Sequence, residues 1–214
     1  VFCLIFSTFS SLGISIIFTL INYFLIVVGV LIFHAVFTYS LLLTSLAKIN
    51  PFIFFTRMRE AIIFAFSTSS SSATMPVTLK TVEEKLGVDK SVSSFCIPLG
   101  TTINMDGTAI MQGVATVFIA QVYQVDLSMM EYLMVIITAT LASIGTAGVP
   151  GVGLIMLAMV LQQVGLPVEG IALIIGVDRL LDMLRTAVNV SGDATISCIV
   201  ANSENQLSRK DFIS

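Results

Sequence analysis

Charged side chains are scarce in this chain. Asp, Glu, Lys and Arg make up 11% of its 214 residues, whereas hydrophobic residues make up 56%. A soluble domain needs roughly a quarter of its residues charged to cover its surface. Residues 1–47 and 132–168 contain no charged residue at all, and each stretch exceeds the roughly 20 apolar residues that cross a bilayer. The composition therefore predicts an integral, multi-pass membrane protein in contact with the lipid bilayer.

Other absences narrow the function. The three cysteines are widely spaced and favour neither a disulfide framework nor a metal site. No basic patch with interleaved aromatics is present, so a nucleic-acid partner is not expected. No nucleophile–base pair, P-loop or metal-ligand spacing appears, which argues against an enzyme and against an organic cofactor. His34 is the only histidine, and its uncharged surroundings favour a packed, hydrogen-bonded or interfacial side chain over a proton relay.

Two apolar elements are interrupted by small residues and proline. The first break is the serine run at residues 67–76, and the second is the glycine-rich segment at residues 143–153. Such residues would expose backbone N–H and C=O groups to lipid. Breaks of this kind therefore occur in a membrane only where protein or water covers the exposed backbone. Paired broken segments indicate a transporter's binding site. The alternative is that both runs are close-packed helix interfaces.

The last apolar segment, residues 171–201, carries polar residues on one side. At about 100° per residue, six of them fall within one face roughly 100° wide. Charges in a membrane helix normally face a cavity and mark a pathway. These residues are Asp178, Asp182, Arg185, Thr186, Asn189 and Asp193.

Carboxylates outnumber arginines among these intramembrane candidates. Counting Asp106 with the three aspartates of the last segment gives four negative charges, against Arg179 and Arg185. A structural ion-pair network explains two or three of these charges, but it leaves the excess unexplained. Hard cations such as sodium bind carboxylate, carbonyl and amide oxygens, so the excess predicts cation sites.

Arg185 and Asp182 together match a zwitterion. The planar fork of Arg185 binds a carboxylate bidentately, and Asp182, one turn earlier, can hold an ammonium group. Helix ends left by the two breaks offer N–H groups to a second carboxylate. Two carboxylate receptors and one ammonium receptor describe aspartate or glutamate.

At these residues the chain resembles the dicarboxylate/amino acid:cation symporter family, which includes archaeal aspartate transporters and animal excitatory amino acid transporters. The resemblance covers almost the whole chain. Four motifs carry it: residues 69–76 (SSSSATMP), 104–108 (NMDGT), 142–151 (ASIGTAGVPG) and 182–193 (DMLRTAVNVSGD).

The resemblance implies an all-α membrane fold: an inverted-repeat transporter core with two re-entrant helical hairpins and an unwound helix. Residues 1–13 would end a scaffold helix, and the chain would be a fragment of a longer protein. The transport domain would cover residues 14–201, and residues 202–214 would form a polar tail. Within the transport domain we expect a helix at 14–48, re-entrant hairpin 1 at about 52–88, an unwound helix at 91–125, re-entrant hairpin 2 at about 128–166 and the last helix at 170–201.

The resemblance also assigns roles to residues. Arg185 would bind the substrate side-chain carboxylate and Asp182 its amino group. The other implied substrate contacts are Asn189, Thr108, Thr186, Ser69, Ser70, Ser71, Gly148 and Val149. One sodium ion would lie on Gly100, Asn104, Asn189 and Asp193, a second on Thr102, Met105, Ser143, Ile144 and Thr146, and a third on Asn104 and Asp106 with residues outside this chain.

The chain departs from the family pattern at three places. Arginines found in the first hairpin of archaeal members and in the last helix of animal members are Ser69 and Met183 here. A glutamate that animal members use for potassium coupling is Gln112, so potassium countertransport is not expected. The usual Leu-Tyr pair is replaced by Ile110 and Met111.

The leading hypothesis is an elevator-type symporter that couples sodium influx to uptake of L-aspartate or L-glutamate. It would be a homotrimer, formed through scaffold helices mostly absent here, in the plasma membrane (the inner membrane of a bacterial cell). Two alternatives stay open: a sodium- or proton-coupled symporter of C4-dicarboxylates or neutral amino acids, and a membrane channel or structural subunit.

Overall fold

The computed structural model describes residues 15–208. The predicted helix end at residues 1–13 and the tail beyond residue 208 lie outside the described residues. Within the described part the regular structure is helical, apart from one isolated antiparallel bridge between Val88 and Leu207. The prediction of a mostly helical protein is confirmed.

Nine α-helices follow one another along the described chain. Helices α1 and α2 are joined by a π-helical turn, His34–Thr38, and a second π-helical turn, Leu43–Ala47, follows α2, so that this whole stretch is continuous. A short 3-10 turn, Val168–Gly170, precedes the last helix. The helices are α1 Ser15–Phe33, α2 Tyr39–Leu42, α3 Pro51–Thr68, α4 Ser71–Glu84, α5 Lys90–Ile103, α6 Asp106–Val122, α7 Met129–Ile144, α8 Val152–Gln163 and α9 Ile171–Ser203.

Local sequence explains where these helices begin. Asn50 precedes Pro51 and accepts a hydrogen bond from the Phe52 N–H at 2.9 Å, which satisfies one of the free N–H groups at a helix start. Ser128 forms a capping box with Glu131 at the start of α7. Proline at the first helical position and polar caps therefore fix the starts of α3 and α7.

Three interruptions coincide with the predicted breaks. Helix α3 ends at Ser69, whose φ of 52° is left-handed, and α4 follows immediately. Residues 145–151 separate α7 from α8. The break between α5 and α6 is confined to Asn104 and Met105, because Asp106 already begins α6.

The long helix α9 joins two hydrophobic clusters. One packs α1, α6, α7 and α8 against its first half and includes Leu181 and Val188. The other packs α3, α4 and α5 against its second half and includes Val190 and Cys198. Two of the breaks also bond to α9, through the Gly151 N–H to Asp182 and through Asn104 to Asp193.

One described stretch is long and apolar enough to cross a membrane. It runs from Phe18 to Ala47, 30 residues with a mean hydropathy of 2.4. Helices α7 and α8 are apolar but shorter. Near the end of α9, the Asn202 side chain donates to the Leu46 carbonyl at 2.9 Å. This bond ties the end of α9 to the end of the apolar stretch.

Candidate functional site

The two breaks touch each other. The Ser70 hydroxyl donates to the Gly148 carbonyl at 2.7 Å, and the Ser72 N–H donates to the same oxygen at 3.1 Å. A Cβ on Gly148 would lie 2.9 Å from Ser72 Oγ and 3.2 Å from the Thr101 carbonyl. Glycine at this position therefore allows the contact between the tips.

A small polar cavity lies where the tips meet α6 and α9. Its free volume is about 20 Å³, which accommodates a water molecule and is far below the roughly 300–1,000 Å³ of ligand pockets. It is lined by Ser69, Ser71, Met105, Thr108, Thr146, Ala147, Gly148, Val149, Gly153, Asp182, Thr186 and Asn189.

Arg185 lies next to this cavity with its side chain only 1% exposed. Its Nη2 is 3.1 Å from Asp178 Oδ1 and 3.0 Å from Asp182 Oδ1. The Gly151 N–H donates to Asp182 Oδ2 at 3.0 Å, so the second break is tied to the same centre. Nη2 thus donates a hydrogen bond to Asp182 and lies at ion-pair distance from Asp178, whose Oδ1 is buried without a hydrogen-bond partner among the described residues.

The rest of the guanidinium is unpartnered. Arg185 Nε and Nη1 are buried without a hydrogen-bond acceptor among the described residues. A Cβ built on Gly153, which lines the cavity, would lie 3.2 Å from Nη1. Ser69 Oγ is also buried without a described partner. Buried donors of this kind cost roughly 1–3 kcal/mol each when unsatisfied, so they favour binding of an acceptor.

Asn189 links the cavity to the break between α5 and α6. Its Oδ1 accepts the Gly107 N–H at 2.8 Å, and its Nδ2 lies 3.4 Å from Thr108 Oγ1. The Thr186 hydroxyl donates to the Asp182 carbonyl at 2.8 Å, within its own helix. The amide of Asn189 is therefore held by α6.

Asp193 is a buried carboxylate, and its hydrogen-bond partner among the described residues is Asn104, whose Nδ2 donates to Oδ1 at 2.9 Å. The same Nδ2 is 3.5 Å from the Asn189 carbonyl. A Cβ on Gly100 would lie 2.5 Å from Asp193 Oδ1. The four residues predicted for the first sodium set are thus brought together.

Asp106 has three donors. The Tyr39 hydroxyl and His34 Nε2, the latter at 2.7 Å, both bond to Oδ2, and the Gly107 N–H donates to Oδ1 at 2.9 Å. His34 and Tyr39 were absent from the predicted site. The only available signal was a lone histidine in an uncharged helix, and it favoured a packed, hydrogen-bonded or interfacial side chain over a proton relay without naming a partner.

The residues of the second predicted sodium set differ in side-chain exposure. Met105 and Thr146 line the small cavity, and Ser143 is buried. The Thr102 side chain is exposed and donates to the Pro98 carbonyl at 2.9 Å, within its own helix. Ile144 is exposed as well. Met105 and Thr146 therefore share the cavity, and the complete set remains a prediction.

All ten predicted substrate residues line or border this cavity. Ser70 borders the cavity through its bond to Gly148, and Arg185 borders it through Gly153. The remaining predicted residues all line it, namely Asp182, Asn189, Thr108, Thr186, Ser69, Ser71, Gly148 and Val149.

Comparison with known proteins identifies the family of this chain. Residues 1–203 match the model of the sodium:dicarboxylate symporter family, and the chain belongs to that family. It is 48% identical over 187 residues to excitatory amino acid transporter 1 of Rattus norvegicus, covering 87% of this chain and 34% of the relative.

Two further relatives give similar values. Identity is 47% over 178 residues to an excitatory amino acid transporter of Caenorhabditis elegans, covering 83% of this chain and 35% of the relative. Identity is also 47% over 190 residues to excitatory amino acid transporter 3 of Oryctolagus cuniculus, covering 89% of this chain and 36% of the relative. The chain thus spans about a third of the length of these curated relatives.

Proposed function

We propose that the protein containing this chain is a membrane symporter that couples sodium influx to uptake of L-aspartate or L-glutamate. The observation that carries the proposal is the buried Arg185, whose Nε and Nη1 have no described acceptor beside a cavity lined by Asp182. Family membership and the names of the relatives, excitatory amino acid transporters, support the same function.

Arg185 would bind the side-chain carboxylate of the amino acid. Its Nη1 has no described acceptor and would lie 3.2 Å from a Cβ on the cavity-lining Gly153, so it can donate a charge-assisted hydrogen bond to that carboxylate. Asp182 would accept the ammonium group. Asn189, Thr108 and the serine tip would contact the main-chain carboxylate, because their polar atoms line the same cavity.

Binding requires the second break to move. The cavity of about 20 Å³ is too small for an amino acid. Asp182 also borders an open cleft of about 590 Å³ between α8 and α9, which Pro150 and Gly151 line. Because Gly148 and Val149 line the cavity, displacement of residues 147–151 would join the two spaces. We therefore assign the gate to this segment.

Sodium would bind first at Asp193. This carboxylate is 2% exposed and accepts one described hydrogen bond, so burial leaves its charge poorly compensated. The carbonyls of Gly100, Asn104 and Asn189 are its proposed co-ligands. A second ion would lie on carbonyls of the set Thr102, Met105, Ser143, Ile144 and Thr146 and would form as the gate closes.

The lengths of two helices support the proposed architecture. Helices α7 and α8 contain 16 and 12 residues, about 24 and 18 Å at 1.5 Å per residue. Neither spans a hydrocarbon core of about 30 Å, which supports a re-entrant hairpin. Helices α3 and α4 form the matching hairpin of an inverted repeat. The transport domain would move as an elevator against a trimeric scaffold in the plasma membrane.

A C4-dicarboxylate is the second candidate substrate, favoured by the description of the family. It lacks the ammonium group that would occupy Asp182. Competition by succinate therefore separates the two candidates: aspartate uptake should resist succinate if Asp182 binds an ammonium group.

The test uses the full-length protein in liposomes. Uptake of radiolabelled L-aspartate should rise with an inward sodium gradient and collapse when choline replaces sodium. Uptake that ignores the sodium gradient would contradict sodium coupling. Saturating inhibition by succinate at concentrations that match aspartate would instead identify a dicarboxylate carrier.

A further inference from the structure

Residues 204–208 turn back from α9 towards the connection between α4 and α5. Asn205 has a left-handed φ of 57°, a conformation that asparagine tolerates just after a helix. The Gln206 N–H bonds to the Ala201 carbonyl at 2.7 Å and so satisfies a free carbonyl of the last turn. These contacts fix the direction in which the chain leaves α9.

The connection between α4 and α5 begins with the same backbone conformation. Gly87 has a φ of 65°, which costs little in a residue without a Cβ, and the Val88 N–H bonds to the Val82 carbonyl at 3.2 Å. A left-handed residue therefore follows each of the two helices and precedes a segment that pairs with the other.

These two segments, residues 87–91 and 205–208, are together called the clasp. Val88 and Leu207 form an antiparallel bridge, and both side chains pack on the hydrophobic cluster of α3, α4 and α5. Two backbone hydrogen bonds flank the bridge. They run from the Asp89 N–H to the Gln206 carbonyl at 3.0 Å and from the Ser208 N–H to the Gly87 carbonyl at 2.8 Å.

The clasp also reaches the first turn of α5. Asp89 caps this helix, because its Oδ1 accepts the Ser91 N–H at 2.8 Å. The Ser91 hydroxyl lies 2.6 Å from the same oxygen and 3.0 Å from Gln206 Oε1. The end of α9 and the start of α5 are therefore joined through side chains as well as through the backbone.

Helices α5 and α9 connect the clasp to the proposed cation set at Asp193. Gly100 lies ten residues beyond Lys90, where α5 begins, and Asp193 lies ten residues before Ser203, where α9 ends. Ten helical residues span about 15 Å, so the two helices cover the same distance in opposite directions. At the far end, a Cβ on Gly100 would lie 2.5 Å from Asp193 Oδ1. The two helices are thus joined at both ends of this distance.

We propose that the clasp fixes the register of α5 against α9 and thereby positions Gly100 and Asn104 opposite Asp193. The bond from Asn104 to Asp193 measures 2.9 Å. Because N–H···O bonds weaken beyond about 3.2 Å, a slide of roughly a few tenths of an ångström would disturb the set. The clasp residues are positioning residues, since about 15 Å of helix separates them from that set. This inference rests on the proposed function, in which the Asp193 set binds sodium.

The first test opens the clasp. The double variant Leu207→Ser, Ser208→Pro removes an apolar side chain and the N–H that donates to Gly87. The sodium dissociation constant follows from the rise in melting temperature with sodium, measured on purified full-length protein without amino acid, with choline holding the ionic strength constant. We expect this constant to rise about five- to tenfold. An unchanged constant would overturn the proposal, because a clasp that only stabilises the fold lowers the melting temperature in choline alone.

Ser203→Ala is the matched control. Its hydroxyl bonds to the Val200 carbonyl at 2.8 Å, within α9 and outside the clasp, so its sodium constant should equal that of the unmodified protein. Sodium stabilisation that is absent from the unmodified protein would contradict the proposed function and this inference with it. Normal sodium stabilisation that ignores the clasp variant would contradict this inference alone.

The second test closes the clasp covalently. Facing residues of an antiparallel bridge flanked by two such bonds have Cα atoms about 4.5 Å apart, within the range of about 4.4–6.8 Å that disulfides span. Val88→Cys and Leu207→Cys, added to Ser208→Pro, should therefore form a disulfide on oxidation. We expect the oxidised protein to bind sodium like the unmodified protein, and the reduced protein to bind it about five- to tenfold more weakly.

Leu207→Cys with Ser208→Pro controls for oxidation of the native cysteines, because it has no partner thiol at position 88. Its sodium constant should be the same in both redox states. Equal constants for the oxidised and reduced forms of the disulfide variant, or a disulfide that does not form, would overturn the proposal.

Discussion

Asp106 and Asp193 lie on either side of the Asn104–Met105 break, yet their surroundings differ. Asp106 is about a quarter exposed and accepts three donors. Asp193 is 2% exposed and accepts one described hydrogen bond. A buried carboxylate with so few donors requires a cation or a proton. Carboxylates at the same break therefore differ in how far protein donors compensate their charge.

The largest expected effect on aspartate binding comes from replacing Arg185, the proposed receptor of the substrate carboxylate, while the proposed sodium site at Asp193 stays intact. Arg185→Gln should weaken aspartate binding by at least about 100-fold, because a buried charged partner is worth about 3–5 kcal/mol when it is removed alone. Sodium-induced thermal stabilisation, which depends on Asp193, should persist. The measurements are calorimetry with aspartate and a thermal shift with sodium.

Arg179→Gln is the control for that variant. Arg179 is an exposed arginine of the same helix and lines the open cleft. Its substitution should change aspartate affinity by less than the Arg185 variant does. Aspartate affinity that survives Arg185→Gln would refute the assignment of this residue.

The next effect concerns Asp193 itself. Asp193→Asn should raise the sodium concentration for half-maximal aspartate binding by about 10–100-fold, since one charge-assisted interaction of about 1.5–3 kcal/mol is lost. An unchanged sodium dependence in this variant would remove Asp193 from the proposed sodium site.

A glycine offers a subtler way to disturb Asp193. Gly100→Ala would bring a Cβ to 2.5 Å from Asp193 Oδ1 and force the carboxylate to move, whereas a Cβ on Gly113 has nothing within 4 Å. We expect about a tenfold loss of apparent sodium affinity in Gly100→Ala. Gly113→Ala should behave like the unmodified protein. A sodium titration of both variants checks this.

The smallest effect involves the contact between the tips. Ser70 caps α4 and also bonds to Gly148, whereas Asn50 caps α3 alone. Each cap-to-alanine change should cost about 1 kcal/mol of stability. Ser70→Ala should additionally weaken aspartate binding a few-fold, because the gate loses a contact. Identical aspartate affinities in the two variants would exclude a role for the tip bond.

The sequence predicted the breaks and the polar face of α9 because both rest on local chemistry. Serine and glycine runs interrupt apolar helices, and the 3.6-residue period places Asp182 and Arg185 on one side. The ten predicted substrate residues accordingly line the cavity or border it. The roles assigned to them remain predictions.

Long-range pairing was not predictable in the same way. The bond between His34 and Asp106 spans 72 positions and depends on a π-helical turn, which has no residue signature in this segment. The small size of the cavity depends on how closely the tips meet. Arg185 was predicted as a substrate receptor, but the way Asp178 and Asp182 share a single nitrogen is a product of packing.

Aspartate binding to the purified full-length protein, measured in sodium and in choline at equal ionic strength, tests the central claim most directly. If an acidic amino acid and sodium together compensate these buried charges, affinity should fall by about 100-fold when choline replaces sodium. Equal aspartate affinity in the two salts would contradict the claim.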